Sequence, residues 1–138
     1  MFSKACEYAL KTMIYLAADP QKEKRVGLRE IAGAIDSPEA FTAKILQQLV
    51  RAGLLRSVRG PNGGFQLRQN AAITLAEVVS AIDGDSLLKS CVLGLERCSE
   101  RHPCPVHDKF KAVRDHLAGV LGSTHIDDLA SGNSYLKL

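Results

Sequence analysis

Three cysteines and a histidine lie close together in the second half of the 138-residue chain. The cysteines are Cys91, Cys98 and Cys104, with six and five residues between them, and His107 follows three positions after the last one. The surrounding segment, from about Leu88 to Pro105, has no sustained helical or strand periodicity. We therefore expect a loop that is organised by a bound group rather than by a hydrophobic core.

Thiolates and imidazoles are the donors that iron–sulfur clusters and zinc take from proteins. A fourth ligand that is not cysteine raises the reduction potential of a cluster or leaves it labile, and either property suits a sensor. The spacing lacks the close Cys-x-x-Cys pairs of common zinc knuckles, which argues against zinc. Zinc binding and oxidation of metal-free thiols remain alternatives. The fourth cysteine, Cys6, is interpreted as a packed thiol of a helix.

The first half of the chain shows the pattern of short amphipathic helices. Ser3 can cap a first helix, and a second helix is predicted at Leu28–Ile35. A third is predicted to run to about Ala52, with Ser37 as its N-cap and Pro38 at its first position. Two short helices joined by a tight connection predict a helix-turn-helix unit.

A β-hairpin is predicted directly after these helices. Residues 54–58 and 64–68 show the strand pattern, and the segment 59–63 connects them through an Asn62-Gly63 step that favours positive φ angles. A hairpin in this place forms the wing of a winged helix-turn-helix. The predicted fold is therefore mainly α, with a small β-hairpin wing.

A fourth helix, capped by Thr74, follows the hairpin, and a long final helix begins near Pro105. Apolar residues of the final helix recur at alternating intervals of four and three, the pattern of a helix that packs lengthwise against another helix. The predicted organisation is a winged helix-turn-helix unit at 1–83 and a second unit at 84–138 that holds the cysteine segment and this helix. The apolar seam consists of Val106, Phe110, Val113, Leu117 and Leu121.

Basic residues are unevenly distributed along the chain. Residues 1–70 hold eleven lysines and arginines against six acidic residues, and no acidic residue occurs between Ala40 and Ala76. A basic stretch of this kind suits the phosphate backbone of DNA. We expect Arg56, Arg59 and Arg68 to contribute binding that depends on salt but not on sequence.

The third helix and the hairpin tip supply the residues that we predict to contact DNA. A capped helix can enter the major groove, while small glycines let the hairpin tip approach a phosphate or the minor groove. Four of the predicted residues, Glu39, Thr42, Ala43 and Gln47, are placed to touch base edges. The full set is Glu39, Thr42, Ala43, Lys44, Gln47, Arg51, Arg56, Arg59, Pro61, Asn62 and Gly63.

The sequence disfavours other classes of protein. It has no nucleophile–base pair with credible spacing, no phosphate loop and no cofactor fingerprint, which argues against an enzyme. No segment offers the roughly 20 uninterrupted apolar residues of a membrane span. We expect a cytoplasmic protein without a membrane partner.

Four motifs resemble the IscR/NsrR family, or Rrf family, of bacterial winged-helix regulators. The most specific is the hairpin sequence Arg59-Gly60-Pro61-Asn62-Gly63-Gly64-Phe65. The others are the opening Cys6-Glu7-Tyr8-Ala9-Leu10, the stretch from Phe41 to Leu49, and the helix from Thr74 to Ile82. A three-cysteine loop and a long C-terminal helix follow, in the order that the family has.

The resemblance implies a homodimer that is joined along the C-terminal helices, binds a partly palindromic double-stranded DNA operator and usually represses. It also implies that Cys91, Cys98 and Cys104 ligate an iron–sulfur cluster, either [2Fe–2S] or [4Fe–4S]. Family members take the fourth ligand from a histidine just after the third cysteine, here His107, or from an acidic residue near the start of the partner's first helix, here Glu7 of the partner subunit.

The hypothesis from sequence is a transcription regulator, and specifically a repressor, whose cluster senses redox state, iron or nitric oxide. Two alternatives stay open. One is a cluster-free repressor that senses oxidation of its thiols, and the other is a zinc-containing interaction module without an operator.

Overall fold

The computed structural model describes residues 1–18, 23–69 and 72–130, so the end of the predicted 84–138 unit, residues 131–138, lies outside it. In the described part of the chain, helices form most of the fold and two strands form one antiparallel hairpin. This confirms the predicted mainly α fold with a small wing. The elements are α1 (Lys4–Ala17), α2 (Leu28–Ala34), α3 (Glu39–Arg51), β1 (Leu55–Val58), β2 (Gly64–Leu67), α4 (Leu75–Asp83), α5 (Ser86–Lys89), α6 (His107–Ser123) and α7 (Ile126–Ala130).

Helix α1 begins where the sequence predicts, because Ser3 caps it. The Ser3 side chain accepts a hydrogen bond from the backbone N–H of Cys6 at 3.0 Å, which satisfies a donor that every helix start leaves unpaired. Ala9, Met13 and Leu16, spaced four and three residues apart, are buried. The helix therefore presents an apolar face to α3, α4 and α7.

Helices α2 and α3 form the predicted helix-turn-helix, with one correction at the start of α3. The N-cap position is Pro38, and no side chain caps the helix, so the prediction of Ser37 as N-cap is wrong. The Ser37 hydroxyl instead lies 2.8 Å from Oγ1 of Thr42, inside the turn. Gly53, with φ 77°, follows the end of α3 in the left-handed region, as predicted.

The hairpin tip differs from the prediction in its backbone angles. Positive φ angles occur at Gly60 (107°) and Gly64 (141°) rather than at Asn62 and Gly63. The tip is a β-turn in which the N–H of Gly63 donates to the carbonyl oxygen of Gly60 at 2.9 Å. The turn therefore depends on Gly60 and Gly64 for their backbone angles, and on Gly63 because a Cβ atom there would clash with the carbonyl oxygen of Val58.

A third short strand segment, at Val26, extends the hairpin. Val26 and Phe65 exchange both backbone hydrogen bonds, with N···O distances of 2.9 and 2.8 Å. A Cβ atom at Gly64 would lie 2.8 Å from the Val26 carbonyl oxygen, so this close approach requires glycine. The wing is thereby fastened to the segment that leads into α2.

Helix α4 begins with a complete capping box. The Thr74 side chain accepts from the N–H of Glu77, and the Glu77 carboxylate accepts from the N–H of Thr74. The same carboxylate pairs with Arg68 of the wing at 2.8 Å. Burial opposes ionisation, but the hydrogen bonds from Thr74 and Arg68 lower the pKa of Glu77 below its usual value.

The sequence does not predict α5 and α7, which have four and five residues and are too short to show a periodic apolar pattern. Ile126 of α7 is buried in the same core as α1 and α3. Helix α6 begins at His107, two residues after the predicted start. Among the described helices, none combines the length and the apolar character that a membrane span requires.

A second, smaller core lies between α1, α4 and α6. It consists of Cys6, Val79 and Leu121. At its edge, Asp83 accepts hydrogen bonds from the backbone N–H of Ser3, at 2.9 Å, and from the Ser3 hydroxyl. Burial, together with the neighbouring Asp83 carboxylate, raises the pKa of Cys6 to about 12, so this thiol stays protonated.

The capping box at α4 generates a stability prediction. Thr74→Ala removes the side-chain acceptor at the helix start and is expected to lower the free energy of unfolding by about 1 kcal/mol. Urea unfolding of the whole chain measures the change. Ser80→Ala, at an exposed site in the same helix, is the control and is expected to change the free energy by less than about 0.5 kcal/mol. Equal losses in the two variants would contradict the role of the cap.

Candidate metal centre and nucleic-acid interface

The three cysteines of the second half converge on one point of the structure. Cys91 follows α5, Cys104 precedes α6, and Cys98 lies between them in the loop. Their sulfur atoms all lie within 4.8 Å of one another, and the Cys91 and Cys104 sulfurs are 3.8 Å apart. All three thiols are free and half-buried. The predicted grouping of the cysteines is therefore present in the folded chain.

Backbone turns shape the loop that carries these thiols. The carbonyl of Cys91 accepts from the N–H of Gly94 at 3.0 Å, and the carbonyl of Cys104 accepts from the N–H of His107 at 3.0 Å. Gly94 has φ 73°, an angle that glycine adopts without strain. These tight turns reverse the chain beside two of the cysteines, and they let intervals of six and five residues bring the sulfurs together.

His107 lies against the thiol group at the first turn of α6. Its Nδ1 atom is 3.3 Å from the sulfur of Cys98. The side chain is buried, and its Nε2 atom has no hydrogen-bond partner in the described part of the chain. A buried ring nitrogen without a partner is unfavourable unless a water or a bound group satisfies it.

The environment of the loop shifts the pKa values of two thiols in opposite directions. Hydrogen bonds from the backbone N–H groups, first that of Leu95 and then that of Leu93, lower the pKa of Cys91 to about 7. The N–H of Cys104 acts in the same direction on Cys98, but burial and the two neighbouring thiols outweigh it and raise the pKa of Cys98. The site therefore favours one thiolate, the form that binds metal.

The distances and the donor set fit a thiolate-bound metal. Two thiolates on one tetrahedral metal, each at about 2.3 Å, lie about 3.8 Å apart, and this matches the 3.8 Å between Cys91 and Cys104. Three sulfurs with an adjacent imidazole suit zinc or an iron–sulfur cluster. Glu7 lies on α1, is exposed and pairs with Lys4 at 3.4 Å. Within a single chain, it is not among the groups that converge with the thiols.

The predicted base-reading face of α3 is only partly exposed. Glu39, Lys44, Gln47 and Arg51 are exposed, and Ala43 is half-buried. Glu39 also lies 3.5 Å from Arg29 of α2, with both side chains open to solvent.

Thr42 does not belong to this exposed face, and its prediction as a DNA contact is wrong. Its side chain is 0% exposed, and its hydroxyl donates to the carbonyl of Pro38 at 2.8 Å. Thr42 precedes Leu46 and Leu49 by four and seven residues, so it shares their buried face rather than the outer one.

The wing presents an exposed basic tip. Arg56, Arg59, Pro61 and Asn62 are exposed, as the prediction requires. Gly63 is half-buried, and a Cβ atom there would clash with the carbonyl oxygen of Val58 and would lie 2.9 Å from the backbone of Arg59 and Gly60. The tip is therefore narrow and allows close approach to another surface.

Two arginines near the wing have roles that the sequence does not predict. Arg68, expected to bind phosphate, instead pairs with Glu77 at 2.8 Å and joins the wing to α4. Arg25, which the sequence analysis does not assign to the interface, is exposed and donates to the carbonyl of Asn62 at 3.4 Å. Arg25 reaches the hairpin tip because it directly precedes Val26, the third strand segment of the wing. That pairing joins residues far apart in the sequence, so no local pattern indicates it.

Leu121, predicted for the apolar seam, is buried within its own chain. It is 3% exposed and packs with Cys6 and Val79, so its assignment to an intermolecular seam is corrected. Leu117 is half-buried against the same group. The reason is that α6 packs on α4 and α5, which cover one side of the predicted seam.

The other seam residues leave an apolar strip on α6. Phe110, Val113 and Val120 are 39%, 62% and 44% exposed. Val106 is half-buried and lies at the N-cap of the helix rather than within it. Phe110, Val113 and Val120 lie three and seven residues apart, which places them on one side of the helix.

Comparisons with known proteins agree with the winged helix-turn-helix fold. Residues 2–132 match the family model Rrf2, described as an iron-dependent transcriptional regulator. The chain is 36% identical over 137 residues to protein aau3 of Rhizobium meliloti, which covers 98% of this chain and 88% of that protein. It is 30% identical over 132 residues to the HTH-type transcriptional regulator IscR of Photorhabdus laumondii, covering 95% of this chain and 79% of that one.

The fold is also similar to that of a solved structure. The structure of CymR, the global cysteine regulator of B. subtilis, superposes with a TM-score of 0.79 at 28% identity. The match covers 97% of this chain and 98% of CymR. The similarity of fold therefore covers nearly the whole chain.

Proposed function

Because the chain belongs to the Rrf2 family of transcriptional regulators, we propose that it is a repressor whose operator binding is controlled by an iron–sulfur cluster at Cys91, Cys98 and Cys104. In this proposal residues 1–83 read DNA, and the residues from 84 onward sense and dimerise. The observation that carries it is the convergence of three cysteine sulfurs within 4.8 Å, in a loop that follows the winged helix-turn-helix.

The chain supplies four ligands for such a group. Cys91, Cys98 and Cys104 provide three thiolates, and we assign the fourth position to His107 because its Nδ1 atom already lies 3.3 Å from a ligand sulfur. When bound, an iron–sulfur cluster supplies one-electron redox chemistry. The imidazole is a weaker donor than a thiolate, which suits a site that must respond to redox state, iron or nitric oxide.

One contact joins the thiol loop to α6, and another joins the end of α4 to α1. Arg114 of α6 donates to the carbonyl of Ser90 at 3.3 Å, next to the first ligand. Asp83, just before α5, accepts from Ser3 at the start of α1. Because Leu121 of α6 packs with Cys6 of α1 and Val79 of α4, a loop gathered by its sulfurs holds α6 against the helices that support α3. A released loop lets α6 shift, and half-sites about 34 Å apart make operator binding sensitive to small rotations.

The exposed strip on α6 supports a symmetric dimer in this proposal. Phe110, Val113 and Val120 present an apolar surface that a second copy of the helix can cover. A dimer places two recognition helices on one face of DNA, as a partly palindromic operator requires.

Dimerisation is testable at Val113, which is 62% exposed. Val113→Glu introduces a charge into the proposed interface without touching the core of the single chain. We expect sedimentation equilibrium to show a monomer, with circular dichroism unchanged. Asp115→Ala, at an exposed site on the same helix, is the control and should leave a dimer. A folded Val113→Glu dimer of unchanged stability would contradict the interface.

Arg59 at the wing tip is proposed to contact DNA. Arg59→Ala should weaken binding to duplexes that the wild-type protein selects from a random pool. It should also reduce the slope of log K against log[salt] by about 1. Fluorescence anisotropy at several salt concentrations measures both quantities. Lys89→Ala, which removes an equal charge from α5, is the matched control. Equal effects of the two variants would mean that net charge, rather than the wing, drives the affinity.

The cluster is testable by oxygen-free purification. Wild-type protein and Cys6→Ala should contain iron and acid-labile sulfide and absorb visible light, because Cys6 is buried outside the thiol loop. Cys98→Ala should be colourless and lack both elements. Stoichiometric zinc without sulfide in the wild type would favour the zinc module. Protein without metal, even after reconstitution, would remove the sensing part of the proposal.

A further inference from the structure

We propose that Cys91 and Cys104 form a reversible disulfide in the metal-free chain, with Cys98 left as a thiol. The disulfide rests on the proposed function only for its biological role, since it forms in protein whose cluster has been lost. It would give the apo-protein a defined oxidised state with one particular pair of bonded sulfurs.

The contact between the sulfurs favours this pair, because Cys91 and Cys104 are hydrogen-bonded to each other while Cys98 lies within 4.8 Å of both. The sulfurs of Cys91 and Cys104 are 3.8 Å apart, so they must approach by about 1.8 Å to reach the bond length of a disulfide. Both thiols are half-buried and free of a disulfide, which leaves them open to a small oxidant. They lie near the two ends of the loop, where Cys91 follows α5 and Cys104 precedes α6.

Each of the other two cysteines has further contacts. The sulfur of Cys98 lies 3.3 Å from Nδ1 of His107, which holds it toward α6. Cys6 is 0% exposed and packs with Val79 and Leu121 in the second core. The geometry therefore favours one disulfide among the four cysteines rather than a mixture.

The reaction needs an oxidant of the hydroperoxide class. The thiolate of one cysteine of the pair attacks the peroxide, the O–O bond breaks, and a sulfenic acid forms as the alcohol or water leaves. The thiol of the other cysteine then attacks that sulfur, the S–S bond forms, and a second water leaves. Two thiols are oxidised by two electrons, and one peroxide is reduced.

The disulfide would preserve the site for reloading. Sulfinic and sulfonic acids are not recovered by ordinary thiols, whereas a disulfide is. The bond also keeps the loop between Cys91 and Cys104 closed, near the arrangement in which the ligands converge. A reductant would return the ligand set without refolding of the loop.

Peptide mapping tests the pairing directly. Trypsin cleaves after Lys89, Arg97, Arg101 and Lys109, so each loop cysteine falls in a separate peptide. Full-length apo-protein, prepared with a chelator without oxygen, is treated with one equivalent of hydrogen peroxide, alkylated and digested. We expect one cross-linked pair of peptides that contain Cys91 and Cys104, lost after dithiothreitol, and a Cys98 peptide that carries the alkyl group.

Variants separate this disulfide from the proposed cluster. Cys98→Ser should fail to hold iron and sulfide but should form the Cys91–Cys104 bond at an unchanged rate. Cys91→Ser and Cys104→Ser should lose both properties. A cross-link that includes Cys98, or sulfinic acid without any cross-link, would overturn the pairing even if the cluster is present. Conversely, a chain that forms the Cys91–Cys104 disulfide but never binds iron would contradict only the proposal of a cluster.

Discussion

The burial of α1 is the constraint on which the rest of the molecule depends. Its side chains enter both cores, because Met13 packs in the larger one while Cys6 packs with Val79 and Leu121 in the smaller. The recognition helix α3 and the helices α4 and α7 all contact α1. The larger core, to which α3 contributes, and the smaller core, to which α6 contributes Leu121, therefore share α1, so the helix-turn-helix and α6 are connected through this one helix.

Electrostatic pairing divides the basic residues of the wing into two groups. Arg68 is held by Glu77, whose carboxylate also completes the capping box at Thr74, so this arginine contributes to the attachment of the wing. Arg59 forms no ion pair within the described part of the chain and lies at the exposed tip. A basic stretch in a sequence thus contains both structural cations and cations that remain open to an external anion.

Local chemistry made much of this fold predictable. Ser3, Thr74 and Gly53 act through neighbouring backbone atoms, so their caps follow from sequence alone. The predictions for Thr42 and Leu121 were wrong for a different reason. A periodic pattern gives the spacing of the residues on one helix face, but it does not tell which neighbouring element covers that face. The grouping of the three thiols was partly predictable from the sequence. Residue types indicated the chemistry, while the turns and the contact with His107 had to come from the folded chain.

The strand segment at Val26 adds to the stability of the wing. An isolated two-stranded hairpin is marginally stable in water, but here β2 has a neighbour on each side, because Phe65 lies opposite Ser57 of β1 and exchanges both of its backbone hydrogen bonds with Val26. The conformational entropy of the tip is therefore lost largely during folding, not upon docking, and pre-organised surfaces bind with a smaller ordering cost. Because Val26 leads directly into α2, these hydrogen bonds join the base of the wing to the helix-turn-helix.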